Sequence, residues 1–159
     1  MNVADKIRLG AGAFDALSTF DPEKRKLWLN GSEALTCIRK QWYSKHAAAK
    51  DTADENWGFA RRGSHGEVYI VDRLRRANVV MAYTGDDQVT IEDEETMISA
   101  TPDGLIEEGD AWVGVEFKTI DPRANVSKLP KPEHVAQLQI GMALFKKYAH
   151  KFPELGGTP

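Results

Sequence analysis

Residues 98–123 read ISATPDGLIEEGDAWVGVEFKTIDPR, and this stretch decides how the rest of the chain is read. Its apolar positions alternate instead of recurring every three or four residues. That predicts strands over 97–106 and 112–120, joined by a turn at Glu108–Asp110. Alternate side chains of a strand share a face, so Glu116 and Lys118 are expected to project together while Phe117 points into apolar packing. A hairpin then brings Asp103 beside them. Two carboxylates converging on an ammonium are costly to bury unless a cation or a phosphate joins them. Ile106, Val113, Val115 and Phe117 mark these as core strands. Taken alone, the string also has a plainer reading, since Pro-Asp-Gly is a common turn and Glu and Lys two apart often decorate an exposed strand face.

Upstream, Val79–Tyr83 and Val89–Ile91 read as two more strands separated by a turn at Gly85–Asp86–Asp87, completing a mostly antiparallel meander. Downstream, Pro122, Pro130 and Pro132 enforce a loop before a helix over His134–Tyr148, with Val135, Leu138, Met142 and Phe145 on one side. Two helices are expected before the strands. The first begins near Asn30–Ser32, with Ser32 as N-cap, and presents Ala34, Leu35, Ile38, Trp42 and Tyr43 on one face. The second follows a polar stretch over 50–56 and alternates Phe59, Val68, Val71 and Leu74 with Arg61, Arg62, Glu67, Arg73, Arg75 and Arg76. Gly63 and Gly66 each cost this helix roughly 1 kcal/mol relative to Ala and are expected to admit something close. Trp42, Tyr43 and Trp57 are expected in the core in preference to base stacking. The fold class is α/β (α+β): one domain over 1–159 with a central mixed, antiparallel-rich sheet flanked by helices, a loose N-terminal arm over about 1–27 and a frayed tail over about 152–159.

A chain of 159 residues, 42% hydrophobic with four Trp, is long enough for one real core. With neither a signal-like start nor a long apolar run, the expectation is a soluble, cytoplasmic protein of a bacterium or phage-infected cell, away from membranes. Cys37 is the only cysteine, so an internal disulfide and a cysteine-ligated zinc or iron–sulfur site are excluded within one chain. His65 and His134 lack the spacing of a histidine metal motif. The net charge of −3 argues against a uniformly cationic nucleic-acid binder, but the charge is unevenly spread. Lys24, Arg25, Lys26, Arg39, Lys40, Lys45 and Lys50 lie within 22–50, whereas 86–95 holds six acids and no base. This patterning fits a basic face opposed to an acidic one, and also two ordinary solvated faces.

Hard divalent cations take oxygen ligands and keep several waters, so Asp103, Glu116 and the backbone carbonyl of Phe117 suffice as protein ligands for Mg²⁺ or Mn²⁺. Such an ion polarises a phosphoryl oxygen and orients hydroxide, with Lys118 placed to hold the attacking water or offset developing charge.

The segment over 98–123, followed by HVAQLQIGMALF over 134–145, resembles the core of the PD-(D/E)xK nuclease superfamily, in its RecB-like branch with lambda exonuclease and YqaJ-type viral recombinases. The likeness covers about residues 28–146. It implies a restriction-endonuclease-like core in which Asp103 and Glu116 are metal carboxylates and Lys118 is the signature lysine. By the same likeness Gln137 matches the helical glutamine that orients the lysine or a phosphate, with Gln139 a weaker candidate. Glu67 matches the acid that binds a second metal through water, and Gly63 and Gly66 lie near DNA. Ser32 and Thr101 fall where relatives hold a DNA 5′ phosphate, with Arg25 a third member. The implied activity is a magnesium- or manganese-dependent 5′-to-3′ exonuclease on duplex DNA in recombination or repair. A structure-specific or nicking endonuclease, or a catalytically retired DNA-binding module, stays open beside it. A single-strand annealing or binding protein and a homo-oligomer are implied partners. Relatives continue past the glutamine helix into further strands, so the sheet is expected to be minimal or completed by another subunit.

Overall fold

The computed structural model of the chain describes residues 28–46 and 53–152; the arm over 1–27, and Arg25 with it, lies outside them, as does the side chain of Trp57. The described chain is mixed α/β, with three α-helices and two three-stranded sheets. In order it runs β1 (Leu29–Asn30), α1 (Ile38–His46), α2 (Ala53–Arg76), β2 (Met81–Ala82), β3 (Ile91–Asp93), β4 (Ile98–Ala100), β5 (Gly104–Glu108), β6 (Ala111–Val115) and α3 (Pro132–Lys147). The first sheet has the order β1-β4-β3, with β1 parallel to β4 and β3 antiparallel to it. The second, β2-β5-β6, is antiparallel throughout.

The expected single meander is therefore two sheets, and the expected strand over 97–106 is two strands, one in each. The break falls at Thr101–Pro102–Asp103, where Pro102 has no N–H for a ladder and Gly104 takes φ +148°. β2 is shorter than Val79–Tyr83 because Tyr83 adopts φ +56° and turns its ring toward Phe145 and Phe152, with centroids 5.7 and 5.2 Å away. The strand β1 escapes a sequence reading because two residues carry no period.

Ile91, Ala100, Leu105, Leu144, Phe145 and Phe152 form the buried core, drawing on both sheets and on α3. Pro132 occupies the first turn of α3, where its missing N–H costs nothing. The helix packs against β3, β4 and β6. Two small residues let it approach: a Cβ on Gly114 would meet Leu138 Cδ1 at 3.2 Å, and one on Gly141 would meet Pro102 Cγ at 2.9 Å. Phe152 belongs to this core and not to a frayed tail; its ring lies 5.0 Å from that of Phe145.

The first helix departs most from expectation. Ser32 is exposed within a 3-10 turn over Gly31–Glu33 and does not cap α1, which starts at Ile38. Leu35, at φ +61°, breaks the run between them. Leu35, Ile38, Trp42 and Tyr43, expected inside, are all exposed. Their spacing is helical, but no described element packs broadly over that face.

The acidic run over 86–95 is not wholly a solvated face either. Asp93 is buried, and both its oxygens lie 2.9 Å from Lys147 Nζ; Thr96 Oγ1 donates to it at 2.8 Å and Tyr148 Oη at 3.0 Å. These bonds, Lys147 first, hold the carboxyl at about 2, against an ordinary value near 3.9. A depressed carboxyl stabilises the fold above its unfolded pKa, and that contribution is lost as pH falls through the folded value. Urea midpoints should therefore drop between pH 5 and about pH 2, and Asp93→Asn should flatten that slope while lowering the midpoint at neutral pH. No described helix is long and apolar enough to cross a membrane.

Candidate active site

The β5–β6 hairpin turns at Gly109, whose φ of +62° suits the two-residue connection between Glu108 and Ala111. At its other end the ladder stops with Gly104 opposite Val115. Carried on, that register would set Asp103 opposite Glu116 and Pro102 opposite Phe117. Proline can donate nothing to a ladder, so β6 ends at Val115 and not at Ile120. A side chain takes over: the Phe117 N–H donates to Asp103 Oδ2 at 2.6 Å. Lys118 folds back on Glu116, with Nζ 2.6 Å from Oε1. Asp103, Glu116 and Lys118 thus come together at the mouth of the hairpin.

This is an electrostatically unfavourable place for two carboxylates. Burial pushes the Asp103 carboxyl up, against the Phe117 N–H and the Lys118 charge, which pull it down. Burial likewise raises Glu116, opposed by Lys118 and reinforced by Asp103. The Glu116 side chain is only 6% exposed, whereas Lys118 is 35% exposed. Glu116 Oε1 is therefore charge-paired with the ammonium, and this pairing only partly offsets the cost of burying the carboxylate.

Glu67 on α2 faces the same cluster. Its carboxyl is raised by burial first and then by the charges of Asp103 and Glu116. Gln88 Nε2 donates to Glu67 Oε1 at 2.6 Å and fixes it. Gly63 and Gly66 admit a close neighbour, as expected, and within the chain it is Thr119: a Cβ on Gly66 would fall inside its Cγ2 methyl, and one on Gly63 would lie 4.0 Å from its Oγ1. They set how closely α2 approaches the segment that carries Glu116 and Lys118. Gln88 and Thr119 were not singled out by the sequence, where one sits in an acidic turn and the other merely follows the lysine.

Gln137 lies one turn before Gly141 on α3, on the face that meets Pro102, and is half-buried. Among the described residues its side chain makes no hydrogen bond to Lys118. Gln139 is exposed. Thr101 is exposed and shares a hydroxyl contact of 2.8 Å with Thr90. Ser32 lies in the turn over Gly31–Glu33, which packs against α3. His65 is exposed and His134 half-buried.

Among the described residues, no three His, Cys, Asp or Glu side chains stand close enough to hold a metal ion. The smaller set of Asp103, Glu116 and the Phe117 carbonyl needs only two carboxylates, and its all-oxygen donor chemistry fits a hard cation. Comparison with family models, with curated proteins and with solved structures finds no match to the chain.

Proposed function

We propose that this chain is a metal-dependent deoxyribonuclease of the PD-(D/E)xK type, built on a restriction-endonuclease-like core. The observation that carries the reading is the convergence of Asp103, Glu116 and Lys118, because two carboxylates and an ammonium are retained together where burial penalises the charges. Asp103, Glu116 and the Phe117 carbonyl would hold Mg²⁺ or Mn²⁺. When bound, the ion supplies Lewis-acid polarisation of a phosphoryl oxygen. Lys118, tethered to Glu116 and partly exposed, can hold a water in line with a phosphate and offset charge developing there. Glu67, oriented by Gln88 and within electrostatic reach of Asp103 and Glu116, would hold a further water. Gln137 would position the lysine or the phosphate.

By the sequence likeness we favour exonucleolytic hydrolysis of duplex DNA from the 5′ end, in recombination or repair. The test uses end-labelled linear duplex and covalently closed circular duplex with Mg²⁺, Mn²⁺ or EDTA. Linear DNA should be degraded with either ion, nothing should be cut in EDTA, and the circle should survive. A cut circle would convert the reading to an endonuclease. Failure to cut any form with either ion would remove the nuclease reading.

A further inference from the structure

The outward face of α1 is more than a bare apolar patch. Trp42 is 57% and Tyr43 50% exposed, and their rings meet edge to face with centroids 5.1 Å apart. His46, one turn after Trp42, lies 5.0 Å from it, and the Arg39 guanidinium, one turn before Tyr43, sits 5.7 Å over that ring. Four flat groups therefore tile one side of the helix as two pairs spaced four residues apart. No acid occurs in α1, while Arg39, Lys40, Lys45 and His46 do. Lys45 is engaged with Glu33 at 2.9 Å and with the Trp28 carbonyl. Arg39 and Lys40 are exposed, and no ion pair joins either to an acid among the described residues.

We propose that this face of α1 is a stacking platform for unpaired nucleotides, with bases against Trp42 and Tyr43 and phosphates against Arg39 and Lys40. Charge complementarity selects the occupant. An apolar protein partner would desolvate two cations without offering a counter-charge, whereas a single strand presents flat faces and anions at nucleotide spacing. The proposal rests on and extends the nuclease reading, to the unpaired strand that hydrolysis of a duplex from one end leaves behind.

The test measures fluorescence anisotropy of a labelled 15-mer of thymidylate, and of an abasic 15-mer of equal charge, with the full chain in EDTA. The wild type should bind the thymidylate strand more tightly than the abasic one by about tenfold. Trp42→Ala with Tyr43→Ala should erase that difference, and Trp42→Phe with Tyr43→Phe should restore most of it. Arg39→Ala with Lys40→Ala should weaken both strands alike and reduce the salt dependence. Equal binding of the two strands by the wild type overturns the proposal. So does an alanine variant that binds as the wild type does, or one that instead changes only the oligomeric state. Cleavage of linear and circular duplex in Mg²⁺ and in Mn²⁺ is scored separately, so base-dependent binding without cleavage of any form in either ion would sink the nuclease reading and leave the platform standing.

Discussion

Asp103→Asn and Glu116→Gln will each abolish metal-dependent cleavage, by at least about a thousandfold, and will make the metal-free protein harder to unfold. The two effects share one cause. Both carboxyls are raised mainly by burial, so the folded protein holds their protons more tightly than the unfolded chain does. A raised carboxyl behaves oppositely to Asp93. Its charge costs stability above the folded pKa, and the cost disappears as pH falls below the unfolded value. A neutral amide of the same shape removes that cost. Asparagine at 103 keeps an oxygen for the Phe117 N–H, so the corner need not move.

Lys118→Ala should give the same loss of cleavage with the opposite effect on stability, because it strips the ammonium from a buried Glu116. Breaking a buried ion pair costs more than an exposed one contributes. With Lys118 itself about a third exposed, about 1–2 kcal/mol is expected after screening. Urea melts in EDTA, paired with cleavage assays in Mg²⁺, read both quantities. Amide variants that lower the urea midpoint, or retain cleavage, would show that these carboxylates are ordinary structural partners.

The nearness of Asp103 and Glu116 was legible in the sequence because it depends on one hairpin, a local feature; Lys118 instead reaches Glu116 by folding back beyond the end of β6, which alternation does not foretell. The placement of Glu67 was legible only as a helical position; that it faces the cluster depends on Gly66 against Thr119 and on Gln88, contacts across 21 residues of chain in the latter case. What alternation could not reveal was where pairing ends. The run over 97–106 has strand-like composition throughout, yet Pro102 divides it between two sheets, since a missing N–H and a packed helix at Gly141 matter more than side-chain period. The face of α1 failed for another reason. Spacing tells which residues share a side, not whether anything lies over it, and exposed aromatic and aliphatic residues with helical spacing look like core until the neighbours are known. Asp93 likewise sat in an acidic run whose composition gave no hint of Lys147, 54 residues away.

Gly104→Ala is expected to destabilise the protein by about 2–5 kcal/mol, a large part of the roughly 5–15 kcal/mol of a typical domain. Two penalties combine at this residue. Its φ of +148° is one that an L side chain rarely adopts. Its Cβ would fall inside the Cγ2 methyl of Thr84 and 3.2 Å from the Ala82 carbonyl, on the neighbouring strand β2. Thr84 is 1% exposed and accepts from Arg75 at 3.2 Å through Oγ1, so it cannot swing aside cheaply. Asp103 precedes this residue, and any relief that shifts the corner also lengthens its bond to Phe117, so cleavage should fall with stability. Thr84→Ser separates the two penalties, because serine lacks the offending methyl yet keeps the hydroxyl for Arg75. The double variant Gly104→Ala, Thr84→Ser should recover about 1–2 kcal/mol over Gly104→Ala alone in urea melts. If it recovers nothing, the methyl is not the obstacle, and the backbone angle beside Asp103 accounts for the whole effect.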